Sequence, residues 1–234
     1  MNDLVLFLGS GSKSDDWEAK YCIRSAVENF SDLNDVWVIG DRPSWASMHL
    51  TFVPFPEEPS INKDHNIINK LAYVSTIHQL TESFVATCDD HFFMKPTTAK
   101  EILPLATHSL EEKIDRRSAW QRRMSTTKMN LGRLGCLDYN YDIHAPQLLT
   151  KAHCIELLKY NFYGPGACIF TLYFNTLFKG RKPEYVTKEY LNDSRYGFVN
   201  HDSRFLCIND DTMKSKEFKQ YMEAKFPNKS KYEL

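Results

Sequence analysis

The sequence predicts an α/β chain, with a single Rossmann-like mixed sheet flanked by helices. Short apolar runs at residues 4–8, 36–39 and 84–86 read as buried strands. Amphipathic stretches fall between them, with Trp17, Tyr21, Ile23 and Val27 in one and Ile67, Ile68, Leu71, Val74 and Ile77 in another. Glycine-, serine- or aspartate-rich segments follow the runs at residues 9–14 and 88–91, where open α/β sheets place their ligands.

The chain has 234 residues, 42% of them hydrophobic and 13% aromatic, enough for a substantial core. Lys plus Arg number 29 against 30 Asp plus Glu, so there is no global attraction to nucleic acid or to an anionic membrane. The six cysteines are scattered without a CxxC pair, so their spacing does not suggest a zinc site, and a chain of this size does not need disulfide staples. The opening MNDLVLFLGSGSKSDD carries an acidic residue where a signal peptide needs positive charge, and its apolar run is too short to cross a membrane. A reduced, cytoplasmic protein with no membrane span is the expectation.

Strand 4–8 runs into Gly9, Ser10, Gly11 and Lys13, a segment whose backbone N–H groups could approach a phosphate, or an ordinary flexible turn. The GxxxxGK[ST] spacing of a Walker loop is absent. Asp15 or Asp16 could cap the first helix. A second strand over 36–39 precedes Gly40, Pro43-Ser44-Trp45 turns the chain, and 49–55 reads as an edge strand interrupted by Pro54. After a polar loop at 56–64, a helix over 65–80 carries Lys70 near its middle, either as a solvated charge or reaching back towards a phosphate.

The run Phe84-Val85-Ala86 ends in Cys88-Asp89-Asp90-His91, and Phe92-Phe93 return to the core. Adjacent carboxylates at the end of a buried strand are costly unless compensated, commonly by a divalent cation; an exposed Asp-Asp turn is the plain alternative.

Residues 97–127 read as a helix and a charged connection. Arg116, Arg117, Arg122 and Arg123 surround Trp120 there, either as a solvated face or as a patch for a phosphate-bearing acceptor such as nucleic acid. His144 is held extended by its position near Pro146 and could point at a site. A helix over 151–160, a largely apolar core helix over 167–178, a loop-rich charged segment over 179–204, a last strand over 204–209, a helix over 214–225 and the tail PNKSKYEL complete the chain.

Several of these stretches together resemble the Stealth proteins, enzymes of capsule and lysosomal sugar-phosphate chemistry, and more broadly the GT-A nucleotide-sugar transferases. The stretches are IRSAVE, PSW, LTESFVATCDDHFF, IHAP, RFLCIND and FPNKSKYEL, in the family's order over most of the chain. Cys88 stands where that family has asparagine.

The resemblance implies one GT-A-like catalytic domain over 1–234. Residues 1–96 would bind the nucleotide sugar and 97–234 would form the acceptor side. It implies Mn²⁺ or Mg²⁺ held by Asp89 and Asp90, with His144 as a further ligand or a catalytic group beside Asp90. Gly9, Ser10, Gly11, Lys13 and Lys70 would serve the donor. Leu71 stands opposite a family glutamate, and a family arginine has no counterpart. The expectation is therefore sugar transfer to a glycan, another hydroxyl or a modified DNA base, with sugar-1-phosphate transfer or a non-catalytic nucleotide-sugar-binding module as alternatives.

Overall fold

The computed structural model describes residues 1–9, 15–110, 118–160, 165–194 and 202–234. Strand β1 (Asn2–Leu8) lies at the centre of a five-stranded sheet. β2 (Leu33–Gly40) and β3 (Thr51–Pro54) lie to one side of it, and β4 (Ser83–Thr87) and β6 (Gln147–Thr150) to the other, in the order β3-β2-β1-β4-β6. β1 to β4 are mutually parallel, and β6 runs antiparallel to β4.

The register places Phe7 opposite Ile39 and Leu6 opposite Thr87. Thr87 ends β4 and Leu8 ends β1, so the chain beyond both strands enters one crevice. This is where strand order reverses direction, the usual ligand position of an open α/β sheet.

The strands alternate their side chains between two cores. Leu4, Leu6, Val36, Val38 and Val85 join α1 (Trp17–Asn29) on one face. Val5, Ile39, Phe84 and Ala86 join α2 (Lys63–Val74) and α5 (Ile169–Leu177) on the other. Helix α5 is apolar almost all round because Leu172, Tyr173 and Phe174 are all buried.

The expectation of a single sheet requires correction. β5 (His91–Phe93), β7 (Leu191–Asp193) and β8 (Phe205–Cys207) form a separate three-stranded sheet in the order β5-β8-β7. The cause is the turn after β4, closed by the His91 N–H donating to Cys88 O at 3.3 Å. It sends Phe92 and Phe93 away from the large sheet and into the core on the α1 side, where both are fully buried.

Other elements shift for local reasons. α2 stops at Val74, six residues before the expected end, where the Ser75 hydroxyl bonds back to Leu71 O at 2.7 Å. In the described part of 97–127, Ala99–Glu101 is a short 3₁₀ turn, and α3 (Ala119–Arg133) begins at a Ser118/Gln121 capping box. Two short helices, α4 (Lys151–Glu156) and α6 (Asp210–Lys214), follow β6 and β8, and α7 (Lys216–Lys225) closes the helical content.

The tail is not loose. Tyr232 is completely buried and its hydroxyl donates to Asp35 Oδ1 at 3.0 Å. Glu233 accepts from Arg24 Nε and Nη2, and Leu234 N–H donates to Trp45 O. Three of the stretches that carried the resemblance, those of Arg24, Trp45 and Glu233, therefore pack against one another as a structural clasp.

Candidate metal centre at the end of the central strands

Asp89 and Asp90 occupy the turn between β4 and β5, and His91 opens β5. Antiparallel pairing sets His91 opposite Cys207, the last residue of β8, and Ile208 N–H donates to Asp90 O at 3.2 Å. His144 enters from the segment before β6. That segment is pinned to α5, because Tyr141 N–H donates to the Thr171 hydroxyl at 3.0 Å.

Four donor atoms converge, one each from Asp90, His91, His144 and Cys207, all within 4.8 Å of one another. His91 Nε2 lies 3.5 Å from Asp90 Oδ1, and the Cys207 thiol donates to Asp90 Oδ2 at 3.7 Å. The two imidazoles meet edge to face, their centroids 6.3 Å apart.

His91 is 3% exposed, and its Nε2 is buried with no hydrogen-bond partner. Its Nδ1 accepts from the Cys88 N–H at 3.4 Å, with the Thr87 hydroxyl 3.5 Å away. An accepting Nδ1 places the proton of the neutral ring on Nε2, the nitrogen that faces Asp90. His144 is exposed.

The charge around this cluster is one-sided. Burial, followed by the Asp90 charge, pushes Asp89 up to about 6. Burial also raises Asp90, opposed chiefly by His144. On α1, burial together with Asp89, Asp90 and Asp210 lifts Glu18 to about 7. Burial, followed by the neighbouring His144, drives His91 down to about 3, so its ring is neutral. Burial and the Asp90 charge hold the Cys207 thiol well above its ordinary range. Surplus carboxylate charge beside a neutral imidazole whose Nε2 has no hydrogen-bond partner is the chemistry of a cation site.

Asp90 and His144, both expected at the site, are thus brought together; Asp89 stands next to them in the turn. Gly9 lies just beyond β1, where a Cβ would meet the Glu57 carboxylate at 3.0 Å. Ser10, Gly11, Lys13, Arg116 and Arg117 lie outside the described residues.

Lys70 is not the solvated charge that its helical setting suggested. It is 1% exposed, and its ammonium donates to Leu8 O at 3.2 Å and Glu57 Oε1 at 2.9 Å, at the end of β1. Arg122 is exposed on α3, while Arg123 turns inward to grip the buried Asp64 with two contacts of 2.7 and 2.6 Å. Arg123 also lies over the Trp120 ring.

Sequence reasoning missed Cys207 and Glu18, and named His91 without giving it a role. No spacing rule could find Cys207, since it reaches Asp90 only through the pairing of β5 with β8. The available signal was a lone thiol at the end of an otherwise apolar strand.

Fold and site together define an α/β protein with mixed sheets, flanking helices and a cluster able to hold a metal ion. Among the described residues no helix is long and apolar enough to cross a membrane. No protein-family model matches the chain, and no curated protein matches it.

Proposed function

We propose that this chain is a GT-A-type, divalent-cation-dependent glycosyltransferase that moves a sugar from a nucleotide sugar to a hydroxyl-bearing acceptor. The observation that carries the reading is the Asp89-Asp90 turn at the C-terminal ends of β1 and β4, with His144 beside Asp90. The Stealth-like order of the motifs supports the same reading.

Asp90 and His144 would hold the cation. Bound there, a divalent ion supplies positive charge against the diphosphate that departs as the glycosidic bond to the donor breaks. Asp89, adjacent in the turn, adds negative charge that draws the cation in and orients it. His144 is exposed and can either complete the ligand set or accept a proton from the acceptor hydroxyl.

A nucleotide-release screen across common nucleotide sugars with Mn²⁺ tests the reading, with Asp90→Asn as control. Release of nucleoside diphosphate that needs both cation and Asp90 is the expected result. Release of nucleoside monophosphate would replace the reading with sugar-1-phosphate transfer. No metal-dependent release from any donor, with or without acceptor hydroxyls, would overturn it in favour of a binding module.

A further inference from the structure

Mn²⁺ and Mg²⁺ are hard ions that favour oxygen donors, and Mg²⁺ in particular insists on an octahedral shell of oxygens. The donors gathered here are different in kind: one carboxylate oxygen, two imidazole nitrogens and one sulfur. We infer that Asp90, His91, His144 and Cys207 form a four-donor centre that selects a zinc-class, borderline-soft cation over magnesium. The inference rests on the cation reading of this site and does not depend on the transferase chemistry.

The donors lie within 4.8 Å of one another and would have to draw in by about an ångström around such an ion. Tetrahedral zinc, with bonds of about 2.0–2.3 Å, sets its ligand atoms roughly 3.3–3.7 Å apart. His91 Nε2 and Asp90 Oδ1 are already 3.5 Å apart, and Cys207 Sγ and Asp90 Oδ2 are 3.7 Å apart. The backbone fixes these donors firmly, because β5 and β8 pair His91 directly with Cys207.

The unpartnered Nε2 of His91 is the second, independent sign of a ligand. A buried imidazole nitrogen would normally find a hydrogen bond; a metal ion would take that place, with the ring proton moving to Nδ1 and towards the Thr87 hydroxyl 3.5 Å away. The thiol would bind as thiolate, losing to solvent the proton it now donates to Asp90. His144, on the exposed side, leaves a route by which the ion enters and by which the shell expands to a fifth donor.

The test uses the full chain, stripped of metal with a chelator and titrated with Co²⁺ as a spectroscopic stand-in for zinc. The expected spectrum has the intense visible bands of four-coordinate Co²⁺ and a near-ultraviolet sulfur-to-cobalt charge-transfer band. Zn²⁺ should displace Co²⁺, and a large excess of Mg²⁺ should not. Cys207→Ser should abolish the charge-transfer band and weaken zinc by more than the roughly 10–100-fold that loss of an outer-shell contact costs.

Because Cys207 is buried, His144→Gln serves as a second variant at an exposed position; it should weaken zinc and alter the visible bands. Weakly coloured octahedral Co²⁺ without a sulfur band, unchanged in Cys207→Ser, would overturn the soft-donor assignment and leave the oxygen-ligated cation standing. Failure of Co²⁺, Zn²⁺ and Mn²⁺ alike to bind would overturn both.

Discussion

Arg24 and Glu233, 209 positions apart in sequence, form a three-bond pair: Arg24 Nε reaches both carboxylate oxygens at 2.9 and 3.1 Å, and Nη2 reaches Oε2 at 2.7 Å. The pair ties α1 to the last residues of the chain. Its side chains are only 10% and 3% exposed. Removing one partner leaves the other charged and buried, so Arg24→Ala should cost about 3–5 kcal/mol. Urea unfolding of the variant beside the parent chain measures this.

The same pair sets an acid limit on stability. Burial alone would push the Glu233 carboxyl up, but the Arg24 and Ser230 hydrogen bonds outweigh it and hold the group below its ordinary 4.5. A depressed carboxylate stabilises the fold above that value, and its contribution fades as pH falls from there through the folded value. Glu233→Gln should therefore be less stable than the parent at neutral pH and flatter in its acid limb. Unfolding midpoints taken from neutral pH down to about 3 would show it.

Gly40 is a position where no other residue fits. Its φ is +134°, and a Cβ there would sit 1.8 Å from Leu8 O, a backbone atom that cannot swing away. Gly40→Ala should lose at least the ~1–3 kcal/mol that such a backbone angle costs, with the clash in addition. Gly132, within α3, has nothing within 4 Å of its virtual Cβ. Gly132→Ala should gain about 0.5–1 kcal/mol. Thermal melts of the two alanine variants should move in opposite directions.

Arg123 neutralises Asp64 in the first turn of α2, where the carboxylate is 2% exposed. Arg123→Ala should cost about 3–5 kcal/mol, and Arg123→Lys should recover only part, since an ammonium cannot reproduce the two-pronged contact. If the two variants proved equally stable, the fork geometry would count for nothing here.

Cation binding should stabilise the fold by mass action. At a free concentration about 100 times Kd the gain is about 2.7 kcal/mol. It should vanish on adding chelator and be absent in Asp90→Asn. Calorimetry with and without the ion reads the difference directly.

Much of the fold could be read from local patterns. Leu4, Val5 and Leu6 in β1 and Phe84, Val85 and Ala86 in β4 are apolar on both faces because each faces a core on either side of the sheet. β6 escaped notice because Gln147 and Thr150 bound only two leucines, too short a run to signal a strand. β7 escaped because Asn192 and Asp193 look like loop residues. The tail's lysines and asparagine hid the fact that Tyr232 is a core residue.

At the site, Asp90 and His144 could be picked out by residue type and neighbours. Cys207 could not, since its contact with Asp90 spans 117 positions and exists only once β5 and β8 have paired. For Lys70 the sequence allows a solvated charge or one reaching back towards a phosphate, and the fold excludes the first: its stem threads beneath the end of β1, where Leu8 O and Glu57 receive the ammonium.

The turn from Cys88 to His91 is the seam between two separate sheets. His144 reaches the cluster on the segment that leads into β6 of the larger one, while His91 and Cys207 belong to the smaller. An ion gripped by all three would act as a rivet through that seam, so its arrival or loss would change how stiffly the two sheets are joined. Amide exchange along His91–Phe93 and Phe205–Cys207 would then track metal supply, making these short strands a built-in gauge of the ion.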